Sequence, residues 1–405
     1  MERIDVAVVG AGQAGLATSH ELTRLGVEHV VLERGRVGQS WRGRWDTFCL
    51  VTPNWGIRLP GGEYDGDDPD GYLPRDELVG FLERYATAFG APVREGAGVS
   101  AIADDRGRFV LETEAGDLGA GRVVLATGAY QRPHRPHAET LPDDLVRIGV
   151  EEYTNEGALP AGRVLVVGSG QSGCQIAEEL HEAGRDVVVA CGRAPWTPRR
   201  ISGRDFFWWG LRSGFLDGPV ESLATPGDRL AANVLATGHG GGHDLHLRTL
   251  RAMGVTLAGR FLGADGDRAR FAPDLEESVA WGDERYRMLR DLFAKHAAAV
   301  GMEPPDLPDP EPFVGEGPDA ADLSEFGAVV FAGGFRPDYA WLPWPGVVDD
   351  LGFPVHSDGQ STVVPGLWFV GVHFLRKRKS SLLVGVGEDA AIVAEGLRAG
   401  LDAGG

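Results

Sequence analysis

Two copies of one unit, a strand followed by a glycine turn, a helix and a second strand, predict an α/β chain made of two dinucleotide-binding (Rossmann-like) domains. The copies occupy residues 4–33 and 163–190, and their glycine motifs start at Gly10 and Gly168, 158 residues apart (168 − 10), which is the length of a domain. A third observation completes the layout. A strand followed by a small-residue turn stands at Val123–Gly128 and recurs at Ala328–Gly334. The chain is therefore expected to leave the first domain, build the second as an insertion, and return. The expected spans are 1–155 for the first part of the first domain, 156–325 for the inserted domain and 326–405 for the returning part.

In the first copy, Ile4–Val9 is an apolar run rich in β-branched residues, and Gly10-Ala11-Gly12-Gln13-Ala14-Gly15 follows without a gap. Residues 14–25 carry Leu16, Leu22 and Leu25 at helical spacing, and Gly26 ends the helix. Val30-Val31-Leu32 is a second buried strand closing on Glu33. The glycines have separate tasks: the tight turn, the close approach of backbone to a pyrophosphate, and close helix–strand packing. Gln13 and Ala14 open a helix whose free N–H groups and partial positive charge face the phosphates. Glu33 stands about 20 residues after the motif, where an acid accepts from a ribose 2′-hydroxyl. It would repel a 2′-phosphate, so the ligand expected here is FAD or NAD, not NADP.

Arg34 and the loop Gly38-Gln39-Ser40-Trp41 come next, and all but Gly38 are assigned to the same ligand. Glycine, polar residues and tryptophans with little periodicity read as a loop lying against it. Trp41 and Trp45 either cover something flat or anchor the loop in the core. Residues 67–72 are acidic and turn-like, and residues 74–88 form a helix through Leu78, Phe81, Leu82 and Tyr85. Strands are expected at Phe109–Thr113 and Arg122–Leu125, with a turn over residues 114–121 between them. Ala126-Thr127-Gly128 then lets backbone pass close to a cofactor, and the prolines of residues 132–136 impose an extended connector.

The second copy runs from the strand Arg163–Val167 through Gly168-Ser169-Gly170-Gln171-Ser172-Gly173 to a helix over 174–183 and a strand over 186–190. It ends in Cys191-Gly192-Arg193 in place of an acid. A guanidinium fork there suits a 2′-phosphate, and Arg199 and Arg200 stand just beyond, so the second ligand is expected to be NADPH. The stretch 205–215 is unusually aromatic and reads equally as core or as the wall of a substrate cavity. His239, His243 and His246 are metal ligands by type, but the sequence around them supplies no supporting carboxylates, so no metal is expected. A helix is expected over 276–300 and a proline-rich crossing over 304–318. A hairpin over 353–364, a strand over 366–371 and a last helix opening at Gly385 follow. That helix N-terminus suits the pyrimidine end of a flavin. Gly334, Gly371 and Gly387, in the turns of this returning part, are assigned to cofactor binding. Arg376–Lys379 is the only basic run, readable as a solvated face or as a hold on an anion.

A net charge of −20 argues against nucleic acid and anionic membrane surfaces as partners. No apolar run reaches the ~18 residues of a membrane span. Met1 leads directly into the first strand, and the three cysteines are far apart with no CxxC, so a reducing cytoplasm is the expected location. Two dinucleotide sites of opposite preference imply hydride passing from NADPH to FAD. Without a dithiol, the electrons go on to oxygen, a substrate or a partner.

Five stretches carry a resemblance. GAGQAG with Glu33, the GQSW loop, LATGAY at 125–130, GSGQSG at 168–173 and FAGGFRPD at 331–338 resemble the flavin-containing (class B) monooxygenases over nearly the whole chain. The resemblance implies FAD at the first motif, NADPH at the second, a C4a-(hydro)peroxyflavin, and oxygen transfer from O2 to a small molecule, at nitrogen or sulfur. It also implies that Asn54, in TPNW, lies near the reactive flavin edge as the catalytic amide. An Asx turn after Pro53 is the competing reading. The histidine-bearing Baeyer–Villiger fingerprint is not legible, and 148–153 reads IGVEEY, which makes ketone oxidation the less expected chemistry. An NADPH-flavin reductase or oxidase that inserts no oxygen is also compatible with the motifs, as is a non-catalytic flavoprotein. A homodimer is compatible with the sequence.

Overall fold

The structure, a computed structural model, describes residues 1–104 and 107–402. Its first sheet is built on β1 (Glu2–Val9), β2 (His29–Glu33), β3 (Val93–Glu95), β4 (Val99–Asp104), β5 (Phe109–Thr113) and β6 (Leu118–Leu125). Its second contains β7 (Val146–Gly149), β8 (Arg163–Val167), β9 (Val187–Ala190), β10 (Thr256–Ala258) and β11 (Phe326–Phe331). The chain then returns to the first sheet with a hairpin of His356–Ser357 and Gln360–Ser361 and with β12 (Leu367–Phe369). The helices that matter below are α1 (Gln13–Arg24), α2 (Arg75–Ala88), α3 (Gln171–Glu182), α4 (Phe206–Arg212), α5 (Leu275–Ala299) and α6 (Val386–Asp402).

In the first sheet β12, β6, β1, β2 and β3 run parallel in that spatial order, with Val9 opposite both Leu32 and Leu125. Parallel strands need cover on both faces. Val6 and Val8 point to one side, into the cluster with Leu16, Leu22 and the α6 residues Val393 and Leu397. Ala7 and Val9 point to the other, against Leu111, Val123 and Phe369. Each such valine or leucine, almost wholly buried, contributes about 1.5–3 kcal/mol. The second sheet is all parallel, in the order β7, β11, β8, β9, β10.

The structure corrects several expectations. β7 and β11 both belong to the second sheet, so the boundaries placed at 155/156 and 325/326 cut through it. β7 escapes notice because it is four residues long and half-exposed. The turn expected over 114–121 ends at Leu118, where β6 starts. Gly119 and Gly121 look like turn residues but lie in the ladder beside β1, and at Gly121 a Cβ would crowd the Asp5 carbonyl oxygen at 3.1 Å. The aromatic stretch is mostly core. Trp209 is buried against Phe293 of α5 and its Nε1 donates to the Ile201 carbonyl at 3.0 Å.

The two domains meet through a buried guanidinium. Arg199, 1% exposed, donates from Nε to the Tyr72 hydroxyl (2.8 Å) and from Nη2 to the Val51 carbonyl (2.8 Å), and Nη2 pairs with Asp205 Oδ2 (2.9 Å). The Tyr72 hydroxyl donates to the same Asp205 oxygen at 2.7 Å, and burial pushes that phenol's pKa up to about 12. Val51 and Tyr72 come from the first domain, Arg199 and Asp205 from the second. Removing one partner of such a pair leaves a buried charge unanswered, at a cost of about 3–5 kcal/mol. Arg199→Met is therefore expected to lower the thermal midpoint of the protein by several degrees. An unchanged midpoint would mean that this guanidinium is not a structural tie.

Candidate functional site, two glycine turns facing one cleft

The two glycine turns are geometrically alike. Gly10 has φ +107 and Gly168 φ +111, values that favour glycine. A Cβ on Gly10 would meet the Ala126 carbonyl oxygen at 2.6 Å, and one on Gly168 would run into that of Ala332. A Cβ on Gly15 would overlap the Gly10 carbonyl, and one on Gly173 the Gly168 carbonyl, so each helix packs directly on its own turn. The middle glycines differ from these. A Cβ on Gly12 meets nothing within 4 Å, and on Gly170 only the Ala232 Cβ at 3.8 Å. The backbone is thus open toward the crevice at the carboxyl ends of the strands, where dinucleotides bind in such sheets. These open cradles, at the heads of α1 and α3, fit a pyrophosphate.

The small turns beside them match too. Gly128 has φ +84 and Gly334 φ +82, both with open space where a Cβ would stand. Gly371 (φ +78) brings the segment after β12 against α1, where a Cβ would sit 2.5 Å from that of Ala14. Gly387, in the first turn of α6, backs onto Pro60, whose ring a Cβ would meet at 3.0 Å.

At the end of β2, Glu33 is buried. Its Oε2 accepts from the Ala11 N–H (2.7 Å) and its Oε1 from the Gly35 N–H (2.9 Å), so it also braces the turn. Arg34 and Ser40 are exposed beside it, and Gln39 Oε1 accepts from the Arg36 N–H. Gln13 joins two segments: its Oε1 accepts from Trp41 Nε1 (2.9 Å) and its Nε2 donates to the Ser381 carbonyl (3.2 Å). Trp41 is half-buried, whereas Trp45 is a core residue, packed edge-on to Phe48 at 5.1 Å. Thr127 Oγ1 accepts from Gln131 Nε2 at 2.6 Å.

In the second turn two side chains are committed to the protein itself. Ser169 Oγ donates to the Gly192 carbonyl and accepts from its N–H, both at 3.0 Å. Gln171 clasps the Ala236 backbone at both ends of its amide. Main-chain N–H groups are what these positions offer a phosphate. Ser172 is half-buried in the first turn of α3. Arg193, directly after Gly192, is exposed, as is Arg200 in the hairpin 200–205. Arg199, their neighbour in sequence, is instead the interdomain tie.

Asn54 is 3% exposed, with Oδ1 accepting from the Leu73 N–H (2.7 Å) and Nδ2 donating to the Asp68 carbonyl (2.8 Å). Both ends of the amide are thus bonded to the backbone of the 68–73 loop. The histidine loop also differs from expectation. His243 Nε2 meets Glu178 Oε1 at 2.6 Å and His239 Nε2 meets Glu182 Oε2 at 3.4 Å. The carboxylates come from α3, 65 residues earlier for the first pair, which the local sequence cannot show. Among the described residues no three ligand-type side chains converge on one point. The basic run is neither solvated nor free. Arg376 pairs with Asp389 (2.7 Å), Lys377 and Lys379 pair with Asp217 and Glu388, and Arg378 lies over Phe215 and Phe374.

Sequence reasoning missed the group between the two turns. Tyr130 follows the Ala126–Gly128 turn, Phe335 follows the Ala332–Gly334 turn, and His373 follows β12. Their rings meet, Tyr130 lying 5.4 Å from Phe335 and 4.9 Å from His373. His373 Nδ1 lies 3.0 Å from Ser381 Oγ, and burial lowers its pKa to about 4, so the ring is neutral near pH 7. A small open cleft lies here, lined by Gly128, Ala129, Phe335, Tyr339 and His373 among others.

Against known proteins, the pyridine nucleotide-disulphide oxidoreductase family model matches residues 7–204. The chain is 32% identical to an uncharacterized oxidoreductase, CzcO-like, of Geobacillus kaustophilus, over 96% of each chain. It is 33% identical to the indole-3-pyruvate monooxygenase YUCCA4 of rice, over 51% of this chain and 52% of that one. Among solved structures, a flavin-containing monooxygenase from Stenotrophomonas maltophilia superposes with a TM-score of 0.68 at 20% identity, over 99% of this chain and 100% of that one.

The open space at Gly12 and the crowding at Gly15 separate binding from folding. Gly12→Ala is expected to leave the thermal midpoint of the apoprotein unchanged while flavin content on purification falls more than tenfold. Gly15→Val is expected to yield no soluble folded protein. A fully flavinated Gly12→Ala protein would show that the first turn does not hold the cofactor.

Proposed function

The chain belongs to the family of the CzcO-like oxidoreductases, and we propose that it is an FAD-dependent, NADPH-consuming monooxygenase of the class B flavin-containing type, transferring oxygen to nitrogen or sulfur of a small molecule. The observation that carries this reading is the pair of matched glycine cradles whose neighbouring strands end in opposite charges. Glu33 closes β2 beside the first cradle, and Arg193 stands after β9 beside the second.

Gly10, Gly12 and Gly15 with the head of α1 would hold the FAD pyrophosphate, and Glu33 would accept from its ribose. Gly168, Gly170 and Gly173 would hold the nicotinamide dinucleotide, with Arg193 on its 2′-phosphate. A bound flavin would supply the redox chemistry between the reduced nicotinamide and dioxygen. The chain's part is to orient and to exclude water. Phe335 and His373 line the cleft with Tyr130 packed against both, and His373, neutral near pH 7, can donate or accept a hydrogen bond there without adding charge. Asn54, through the 68–73 loop that it fixes, is a positioning residue in this reading. No cysteine pair in the sequence has CxxC spacing, and Cys174 and Cys191 are buried with thiol pKa values raised by burial, which suits oxygen as the electron acceptor better than a dithiol.

Two outcomes are expected. Arg193→Ala should raise KM for NADPH at least tenfold, about 1.4 kcal/mol, with little change for NADH. Equal changes would remove the 2′-phosphate role. Stopped-flow mixing of the NADPH-reduced enzyme with oxygenated buffer should give a long-lived species distinct in absorbance from reduced and oxidised flavin. Its absence with every amine and thioether tried, together with stoichiometric hydrogen peroxide, would make the protein a reductase or oxidase.

A further inference from the structure

Arg44 lies on the loop after Trp41, half-buried. Its Nε is buried without a partner, and among the described residues its guanidinium forms no ion pair. The carboxylate whose charge acts on it, Glu151, is bonded to Arg135. Arg44 shares this state with Arg378, a second partly buried guanidinium that lies over rings, Phe215 and Phe374, and has no carboxylate partner among the described residues. Arg248 and Arg376, also half-buried, are each answered by an aspartate.

What surrounds Arg44 is aromatic. Its guanidinium carbon lies 5.4 Å from the Tyr130 ring centre and 5.9 Å from that of Phe48. Rings on its faces hold the plane while leaving the N–H edge free, and that edge is the part that donates two parallel hydrogen bonds to one carboxylate. Tyr130 exposes about half its surface (48%), and burial raises its phenol pKa against the lowering effect of the Arg44 charge. Its ring also touches Phe335 and His373. Tyr130 and His373 follow strands of the first sheet at their carboxyl ends, and Phe335 follows a strand of the second. Arg44 therefore borders the space where the carboxyl ends of the two sheets face each other. Both glycine cradles open at those same carboxyl ends.

We propose that Arg44 is a specificity-determining residue, and that the substrate of this enzyme is a small molecule bearing a carboxylate, taken by the free edge of Arg44 with its body against Tyr130. This rests on the monooxygenase reading for what happens to the substrate, but not for its recognition. The carboxylate pairs with one half-buried cation whose Nε is shielded from water, so the discrimination against a neutral isostere is expected to be large.

The test uses the FAD-loaded enzyme without NADPH or substrate, and the probes are benzoate and its neutral isostere benzamide. Each is titrated by perturbation of the flavin visible spectrum or of tryptophan fluorescence. In the wild type, Kd for benzoate is expected to be at least tenfold lower than for benzamide. Arg44→Ala brings the ratio to about one, Arg44→Lys keeps part of it, and Arg193→Ala leaves it unchanged. A wild-type ratio near one overturns the proposal, as does a ratio that survives in Arg44→Ala. So does loss of the ratio in Arg193→Ala, which would assign the anion site to the dinucleotide phosphate. If Arg44→Ala loses flavin, Arg44→Gln, nearer in shape, is read the same way. Because no turnover is involved, a failure of the monooxygenase reading leaves this result standing, and the reverse also holds.

Discussion

The relation between the two glycine turns rests on the buried guanidinium of Arg199. Each turn is fixed within its own sheet, but neither sheet continues into the other. What joins them is the chain from Val51 and Tyr72 through Arg199 to Asp205, with the Arg199 N–H donating to Asp244 Oδ1 at 2.6 Å. Burying a charge costs several kcal/mol, recovered only when geometry is good and hydrogen bonds complete it. A hydrophobic contact of the same area would bind the domains but tolerate sliding. The directional bonds of Arg199 permit few relative poses. A second tie reinforces it on the far side, where Asp217 of the inserted domain meets Lys377 and Lys379 of the returning segment. The connectors themselves pair antiparallel, Arg132 opposite Arg336 and Pro133 opposite Phe335. These polar restraints act together with an apolar cluster that runs through both domains, from Phe48 and Leu50 to Ile176 and Leu180.

The glycine turns were legible because their constraint is local. Within six residues, three positions must lack a Cβ for three different reasons, and helical and strand patterns bracket them. The reasons are separable in the structure: Gly10 meets a carbonyl across the sheet, Gly15 meets its own turn, and Gly12 meets nothing. The near coincidence of Gly128 and Gly334 in φ extends the same economy to the second turns, although one follows threonine and the other glycine. The parallel strands were legible for a related reason. Burial on both faces forces unbroken apolar runs such as Val164–Val167.

What was not legible depends on partners distant in sequence. Arg199 sits in a run of arginines that suggests phosphate binding, and only the fold shows Tyr72 and Asp205 closing around it. The basic run has its acids at 217, 388 and 389, and the histidine loop has its carboxylates on α3. Asn54 could be read for chemistry or for a turn, and its two backbone partners lie 14 and 19 residues away. β7 was invisible because a four-residue edge strand needs no continuous apolar run. In each case the residue type was noticed or noticeable, and the missing quantity was a distance across the fold.

The same reasoning applies to charge. A net of −20 should repel both dinucleotides and any anionic substrate, and long-range steering by the whole molecule is therefore unfavourable. The local field around the connectors has the opposite sign. His134 has its pKa lowered by burial and then by the positive charges of Arg336 and Arg132, and Arg336 is itself held down by burial and by Arg132. Arg44 adds a third guanidinium on the neighbouring loop. Low-dielectric walls such as Tyr130, Phe335 and Phe48 strengthen these charges at short range, while beyond about 10 Å salt screens the acidic exterior. Positive charge is thus concentrated where the two sheets face each other, inside an acidic molecule. An arrangement of that kind favours anions that have already entered the cleft over anions in solution, and it makes occupancy of the cleft depend on shape and contact more than on diffusional attraction.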